Sequence, residues 1–390
     1  MTMRELQFIR AGRLEWRERP APVLRDARDA LVRPIVAGRC DGDTLPIHRH
    51  VSRAMQFGIR AGLIDPVVGS ICGPVPFRGP FGIGHECVAE VVEVGADITT
   101  LRRGDLVVVP WAISCGECRE CRLGLTAKCS TTRTSTLAAF GFGPASGPWG
   151  GMVADLLRIP FADHMLVPLP AGVDPLRVAA ASDNLADAWR CVIPGLRIRP
   201  GGRVLVLGGA AQSIGLYAAG LAVRHGAEVV DYVDHRLERL DIAEKLGARA
   251  HSTTAKGKIR RTDIPRRDYD IAVEGTSTAA GVDAALRSLA PGGFCRPVGY
   301  YLPVGTKVPL MHMYANDATV SIGVSHVRPI LPDLLDFVAR HDFPAETVTT
   351  LTADWDDAPE AYTAHTTKLV LHRAPLHAAA DGAAHGGPAA

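Results

Sequence analysis

The sequence predicts an α/β protein: a β-rich, loop-heavy first part joined to a doubly wound parallel sheet. Two textures predict it. The first third sets short apolar runs such as CVAEVVEV and DLVVVP among Gly- and Pro-rich connections, the pattern of strands and turns. Around Pro200 the pattern changes. Strand-like RVLVLGG (203–209) leads into helix-like SIGLYAAGLAVRHG, then AEVVDYVD and the helical HRLERLDIAEKLGA. YDIAVEG, a helical TAAGVDAALRSLA, FCRPVGYY and TVSIGVSH follow, and strands alternating with helices imply a parallel sheet.

The chain of 390 residues has length for two cores, divided as 1–186, 187–326 and a return segment 327–374 with two helical stretches and a closing strand, KLVLH. Residues 49–80 have no clear pattern and form an excursion rich in Gly, Pro and Arg, which shapes a pocket through Arg53, Met55, Phe57 and Arg60 or else serves as a surface loop or oligomer contact. The stretch 375–390, ending HAAADGAAHGGPAA, cannot bury a core and reads as a disordered tail. Hydrophobic content of 47% and a formal charge of +2 offer no electrostatic case for nucleic acid or an anionic membrane. No apolar run reaches bilayer length, and the charged N-terminus lacks the apolar core of a signal peptide. Cytoplasmic residence with reduced thiols is the expectation.

Cys115, Cys118, Cys121 and Cys129 lie inside fifteen residues as C-x2-C-x2-C-x7-C, in a lobe spanning 111–130. Four thiolates at this spacing suit a closed tetrahedral zinc, which is structural and performs no chemistry. Nine cysteines are an odd number with no secretory leader, which disfavours disulfides.

The turn Gly208–Gly215, reading GGAAQSIG, follows the first strand of the second unit. Small residues there let backbone amides meet a pyrophosphate at a helix N-terminus, so Gly208, Gly209, Gln212, Ser213, Ile214 and Gly215 are candidate dinucleotide contacts. The strict G-x-G-x-x-G pattern is not met: Ala210 and Gln212 stand at glycine positions. Asp234 ends the next strand where a ribose-binding acid belongs, which favours NAD; its ordinary reading is a helix cap. Arg236 and Arg239 would admit a 2′-phosphate, so NADP stays open.

Cys40, His85 and Asp183 have the chemistry of catalytic zinc ligands, three protein groups with an open position. Each also has an ordinary reading: a core thiol, a bonded core histidine, a helix cap. Glu86 would orient the site or substitute as a ligand.

The order of these features resembles that of the zinc-dependent medium-chain alcohol dehydrogenases over nearly the whole chain to about Arg373. With Asp in place of Cys as third ligand, the chain is similar to the formaldehyde-dehydrogenase- and threonine-dehydrogenase-like branch. The resemblance implies a GroES-like catalytic domain, a Rossmann cofactor domain, and two zinc ions per chain. It places the catalytic zinc on Cys40, His85 and Asp183 beside Glu86, brings Lys368 to the cofactor phosphates, and sets Val298 and Gly299 against the nicotinamide. It also implies a homodimer or homotetramer acting on a small molecule.

The departures are specific. The family pattern C-x-[ST]-D carries a relay hydroxyl; here it reads Cys40, Asp41, Gly42, Asp43, keeping the acid and losing the hydroxyl. The relay histidine position is Leu45, and Thr44, His48 and His50 are candidate replacements. A Thr usually near the nicotinamide is Asp187. Three functions follow. The first is zinc-assisted hydride transfer between NAD(H) and an alcohol, aldehyde or ketone. The second is reduction of an imine or activated alkene, which needs no alkoxide relay. The third is a non-catalytic zinc- or NAD-binding protein, against which the retained ligands argue.

Overall fold

The computed structural model describes residues 1–253 and 259–376, so the expected tail lies, from 377 on, outside the described residues. Its six-stranded sheet runs in the order Arg249–Ser252, Val230–Asp234, Val204–Leu207, Tyr269–Glu274, Leu289–Pro297, Thr319–Val320. Every neighbouring pair is parallel. Val204–Leu207 is fully buried along its length, as a strand covered by helices on both faces must be. Strand order reverses beside it, which opens a crevice at its C-terminal end, where Gly208 and Gly209 sit.

The other unit is built on the pair Ala30–Gly38 and Glu86–Val94, antiparallel with Gly38 opposite Glu86. That register brings Arg39 and Cys40 out of the same end as His85. Pro34 is tolerated because the ladder shifts register between Pro34 and Val36. The strand Leu369–His372 adds antiparallel to Ala30–Gly38 with Val370 opposite Gly38, which sets Lys368 at the same end. Three strand ends therefore converge on one point before any loop is considered.

The helix Asn184–Ile198 crosses from this point onto the parallel-sheet unit, and the expected boundary at 186–187 falls inside it. Its buried residues join a single core with Val204, Val206 and the helix Gln212–Arg224. The helix Val327–His341, at the start of the expected return segment, packs into that same core, while Leu351–Asp354 and Leu369–His372 join the catalytic sheet. The excursion 49–80 is a strap of two helices, Ser52–Arg60 and Val67–Cys72. It is tied across to the other unit: Asp65 N donates to Leu302 O at 3.1 Å and Val304 N donates to Leu63 O at 3.1 Å.

Candidate active site

Cys40, His85 and Asp183 offer ligand atoms that all lie within 4.8 Å of one another. Cys40 Sγ is 3.0 Å and His85 Nε2 is 3.4 Å from Asp183 Oδ2. Asp183 stands at the N-cap of Asn184–Ile198, yet its side chain makes no capping bond. The cap comes from Glu86, whose Oε1 accepts from Asn184 N at 2.9 Å. That frees the Asp183 carboxylate to face the cysteine and the histidine.

Neither His85 nitrogen has a hydrogen-bond partner, although the residue is 2% exposed. A buried imidazole left this way is costly, and a cation among the three donors would satisfy the nitrogen that faces them. The electrostatics agree. Burial, then Asp183, Asp43, Glu86 and Asp41, push the Cys40 thiol well above its usual range. Burial opposes charging His85, but Asp43, Asp183 and Glu86 outweigh it and lift the imidazole to about 9. Such accumulated negative charge is what a divalent ion offsets, so the residues fit zinc. Asp43 Oδ1 lies 3.8 Å from His85 Nδ1, and its Oδ2 has no partner.

Behind the ligands, fully buried Lys368 donates from Nζ to Glu86 Oε2, to Arg39 O at 3.0 Å and to Asn184 Oδ1 at 3.0 Å. Where the resemblance placed Lys368 at the cofactor phosphates, its Nζ donors here end on Glu86, Arg39 and Asn184, and both Glu86 oxygens are held within the protein. The close approach depends on Gly38, where a Cβ would stand 2.3 Å from Glu86 Oε2. Asn184, which sequence reasoning missed, donates from Nδ2 to Cys40 Sγ at 3.2 Å.

In the dinucleotide crevice Gly208 and Gly209 line the turn; a Cβ on Gly208 would stand 2.2 Å from Asp234 Oδ2. Asp234 is fully buried and accepts from His235 N, Arg236 N and Tyr232 Oη, with Arg239 Nε 3.1 Å from its Oδ2. Arg239 also donates to Gly209 O at 2.7 Å. Gln212 opens the helix. The amides of Ser213 and Ile214, where the fold takes a phosphate, instead donate to Asp41 Oδ2 at 2.8 and 3.2 Å, and Ser213 Oγ donates to Asp41 Oδ1. Asp41 was not among the sequence candidates. Gly215 packs its bare Cα near Val206 and Tyr232. Val298 follows the strand Leu289–Pro297 and donates to Glu274 O, and Gly299 packs against Ser277. Asp187 pairs with Arg190 and is raised to about 6, burial outweighing that pairing.

On the far side of His85 lies an apolar cavity of about 80 Å³, lined by Leu45, Met55, Ile71, Phe142, Tyr300 and Leu302 among others. Met55 comes from the strap, as expected, while Phe57 is exposed. The relay candidates do not line this cavity. Thr44 Oγ1 donates to Asp41 O at 2.7 Å, His48 stacks on His365 with centroids 4.1 Å apart, and His50 is exposed. Instead the Tyr300 hydroxyl sits against Gly42. Burial, then Cys40 and Asp183, raise this phenol well above its usual range, so it stays protonated. Only the missing hydroxyl at Gly42 signalled in the sequence that a substitute was needed.

Cys115, Cys118, Cys121 and Cys129 form a second four-sulfur cluster. Glu117 N and Cys118 N point at Cys115 Sγ at 3.4 and 3.3 Å, as amides do around thiolates. All nine cysteines are free, so no disulfide competes for these sulfurs.

Comparison with known proteins decides the family. The alcohol dehydrogenase GroES-like domain matches residues 26–171 and the zinc-binding dehydrogenase domain matches 213–340. A probable zinc-binding alcohol dehydrogenase of Mycobacterium tuberculosis is 30% identical over 74% of this chain and 72% of that protein. The chain belongs to the zinc-containing alcohol dehydrogenases. Among solved structures of this family, an alcohol dehydrogenase from Thermus sp. ATN1 superposes with a TM-score of 0.78 at 29% identity, covering 95% of this chain and 99% of that one. A glutathione-independent formaldehyde dehydrogenase of Pseudomonas aeruginosa is 35% identical over 42% of each chain. The protein is thus a zinc-dependent, NAD(P)-linked oxidoreductase of alcohol dehydrogenase type, with one catalytic and one structural zinc.

Proposed function

We propose that this dehydrogenase interconverts a small alcohol and its aldehyde with NAD(H), within the branch whose third zinc ligand is Asp. The observation that carries the reading is the unpartnered, buried His85 between Cys40 and Asp183. When bound, zinc polarises the substrate oxygen as a Lewis acid and the nicotinamide carries the hydride. The chain's own residues hold and orient. Cys40, His85 and Asp183 ligate; Asp43 steers His85 from its Nδ1 side; Glu86 and Lys368 fix the helix that bears Asp183. Asp183 adds negative charge beside the Cys40 thiolate, which makes the metal a weaker acid and increases the need for a proton donor.

The apolar lining of the cavity, Leu45, Met55, Ile71, Phe142 and Leu302, supports a substrate with an apolar chain. Residues 1–186 and the end of the chain supply the catalytic unit, 187–326 the cofactor unit. Reduced thiols accord with a cytoplasmic setting. A second copy of the chain accounts for Leu310, Met311, Tyr314 and Ile322, each more than 60% exposed beside the edge strand Thr319–Val320.

Elemental analysis tests the site. Wild type is expected to hold two zinc ions per chain and a Cys40→Ala, Asp183→Asn double variant one. One zinc in both proteins would defeat the catalytic-metal reading and promote the imine or alkene reductase.

A further inference from the structure

We propose that the Tyr300 hydroxyl replaces the relay hydroxyl that Gly42 lacks, hydrogen-bonding the substrate oxygen and giving it the proton during reduction. The proposal rests on the alcohol–aldehyde reading above. A Cβ built on Gly42 would lie 2.8 Å from Tyr300 Oη, 3.3 Å from Cε2 and 3.4 Å from Cζ. The space into which a serine or threonine at 42 would grow is therefore already filled, and what fills it is a hydroxyl. Gly42, His85 and Tyr300 line one cavity, so that hydroxyl faces the chamber the substrate enters. Among the described residues no hydrogen bond engages it, which leaves the O–H free to donate. Tyr300 as a whole is 55% exposed, so the ring spans from chamber to solvent. The hydroxyl's carrier is itself held in place: Leu302 and Val304, just beyond it, are bonded to the strap at Asp65 and Leu63.

The step balances. The reduced nicotinamide, when bound, would supply the hydride for the new C–H bond, and the carbonyl π pair would move to oxygen. The Tyr300 O–H bond breaks as the alcohol O–H bond forms, and solvent entering the chamber once the alcohol has left returns a proton to the phenolate oxygen. Alcohol oxidation is the reverse. Gly42 and Tyr300 are then a matched pair: the loss of one hydroxyl makes room for another.

The test uses zinc-replete protein with NADH and a short aliphatic aldehyde, comparing wild type, Tyr300→Phe, Gly42→Ser and the Tyr300→Phe, Gly42→Ser double variant. Binding of the matching primary amide, which presents a carbonyl oxygen but is not reduced, is measured by calorimetry. Tyr300→Phe is expected to lower kcat about 100-fold, the lower range for general acid catalysis, with KM little changed. Its amide affinity should fall about five-fold, one hydrogen bond's worth. The double variant, where removal of the phenol oxygen makes room for the serine, should recover at least ten-fold of the lost kcat. Gly42→Ser alone, crowded by Tyr300, should not exceed wild type. A Tyr300→Phe protein with wild-type kcat, one altered only in KM, or a double variant as slow as the single would overturn the proposal. Should wild type with two zinc ions reduce no aldehyde, the alcohol–aldehyde reading falls, and unchanged or weakened amide binding in Tyr300→Phe still decides the role of Tyr300.

Discussion

At the scale of single residues, this protein pairs buried polar groups closely and leaves few without a partner, so the exceptions are informative. His85 is one, answered by the metal. Glu274 is another. It is fully buried, its Oε1 accepts from Thr276 N at 2.8 Å, and its Oε2 has no partner. Burial lifts it to about 7 from 4.5. Because the folded value is the higher one, folding favours the protonated form. Stability from this group is present below about pH 4.5 and lost as pH rises through 7. The loss is roughly 3 kcal/mol at full ionisation. Glu274→Gln removes it, so the melting temperature of the variant relative to wild type should rise between pH 5 and pH 8. An equal difference at both pH values would rule this out.

At the scale of elements, helix termini govern the site. The N-terminus of Asn184–Ile198 is capped from another strand by Glu86, which liberates Asp183. The N-terminus of Gln212–Arg224 is held by Asp41 from the catalytic unit, on the amides a dinucleotide phosphate takes in this fold. Two anions cannot both take those amides, so Asp41 is expected to compete with a cofactor phosphate there. Asp41→Asn keeps a cap but removes the charge. Its affinity for NADH, followed by nucleotide fluorescence, should rise about ten-fold, a difference of about 1.4 kcal/mol. Weaker binding than wild type would show that the carboxylate assists instead. Both termini were legible as helix starts in the sequence. Which group caps each was not, because the partners come from 98 and 172 residues away.

At the scale of the molecule, one hydrophobic core runs from the catalytic sheet through Asn184–Ile198 into the parallel sheet. The strap 49–80 adds a second connection across the cleft, by way of Leu302 and Val304. The two units are thereby joined both through the core and across the cleft. The outer edge of the parallel sheet is the opposite case: exposed Met311 and Tyr314 beside the edge strand Thr319–Val320 suit association of two copies. Met311→Glu with Tyr314→Glu should halve the mass seen by sedimentation while leaving two zinc ions per chain. An unchanged mass would exclude this face from the interface.

By itself the sequence determined the strand–helix alternation, the four-cysteine cluster, the crevice turn at Gly208–Gly215 and the three donors Cys40, His85 and Asp183. The first two are written in local spacing, whereas the turn and the three donors, each with an ordinary reading of its own, were placed by an order of features that resembles the family. Tertiary structure alone decided the rest. Lys368 belongs to Glu86 because three strand ends meet in a buried place where a lone charge needs a partner. Thr44, though close in sequence to the missing hydroxyl, turns its own hydroxyl to Asp41 O and away from the cavity. Tyr300 fills the gap at Gly42 from 258 residues further along the chain, since contact across a cleft follows from how two units pack and leaves no mark in local pattern.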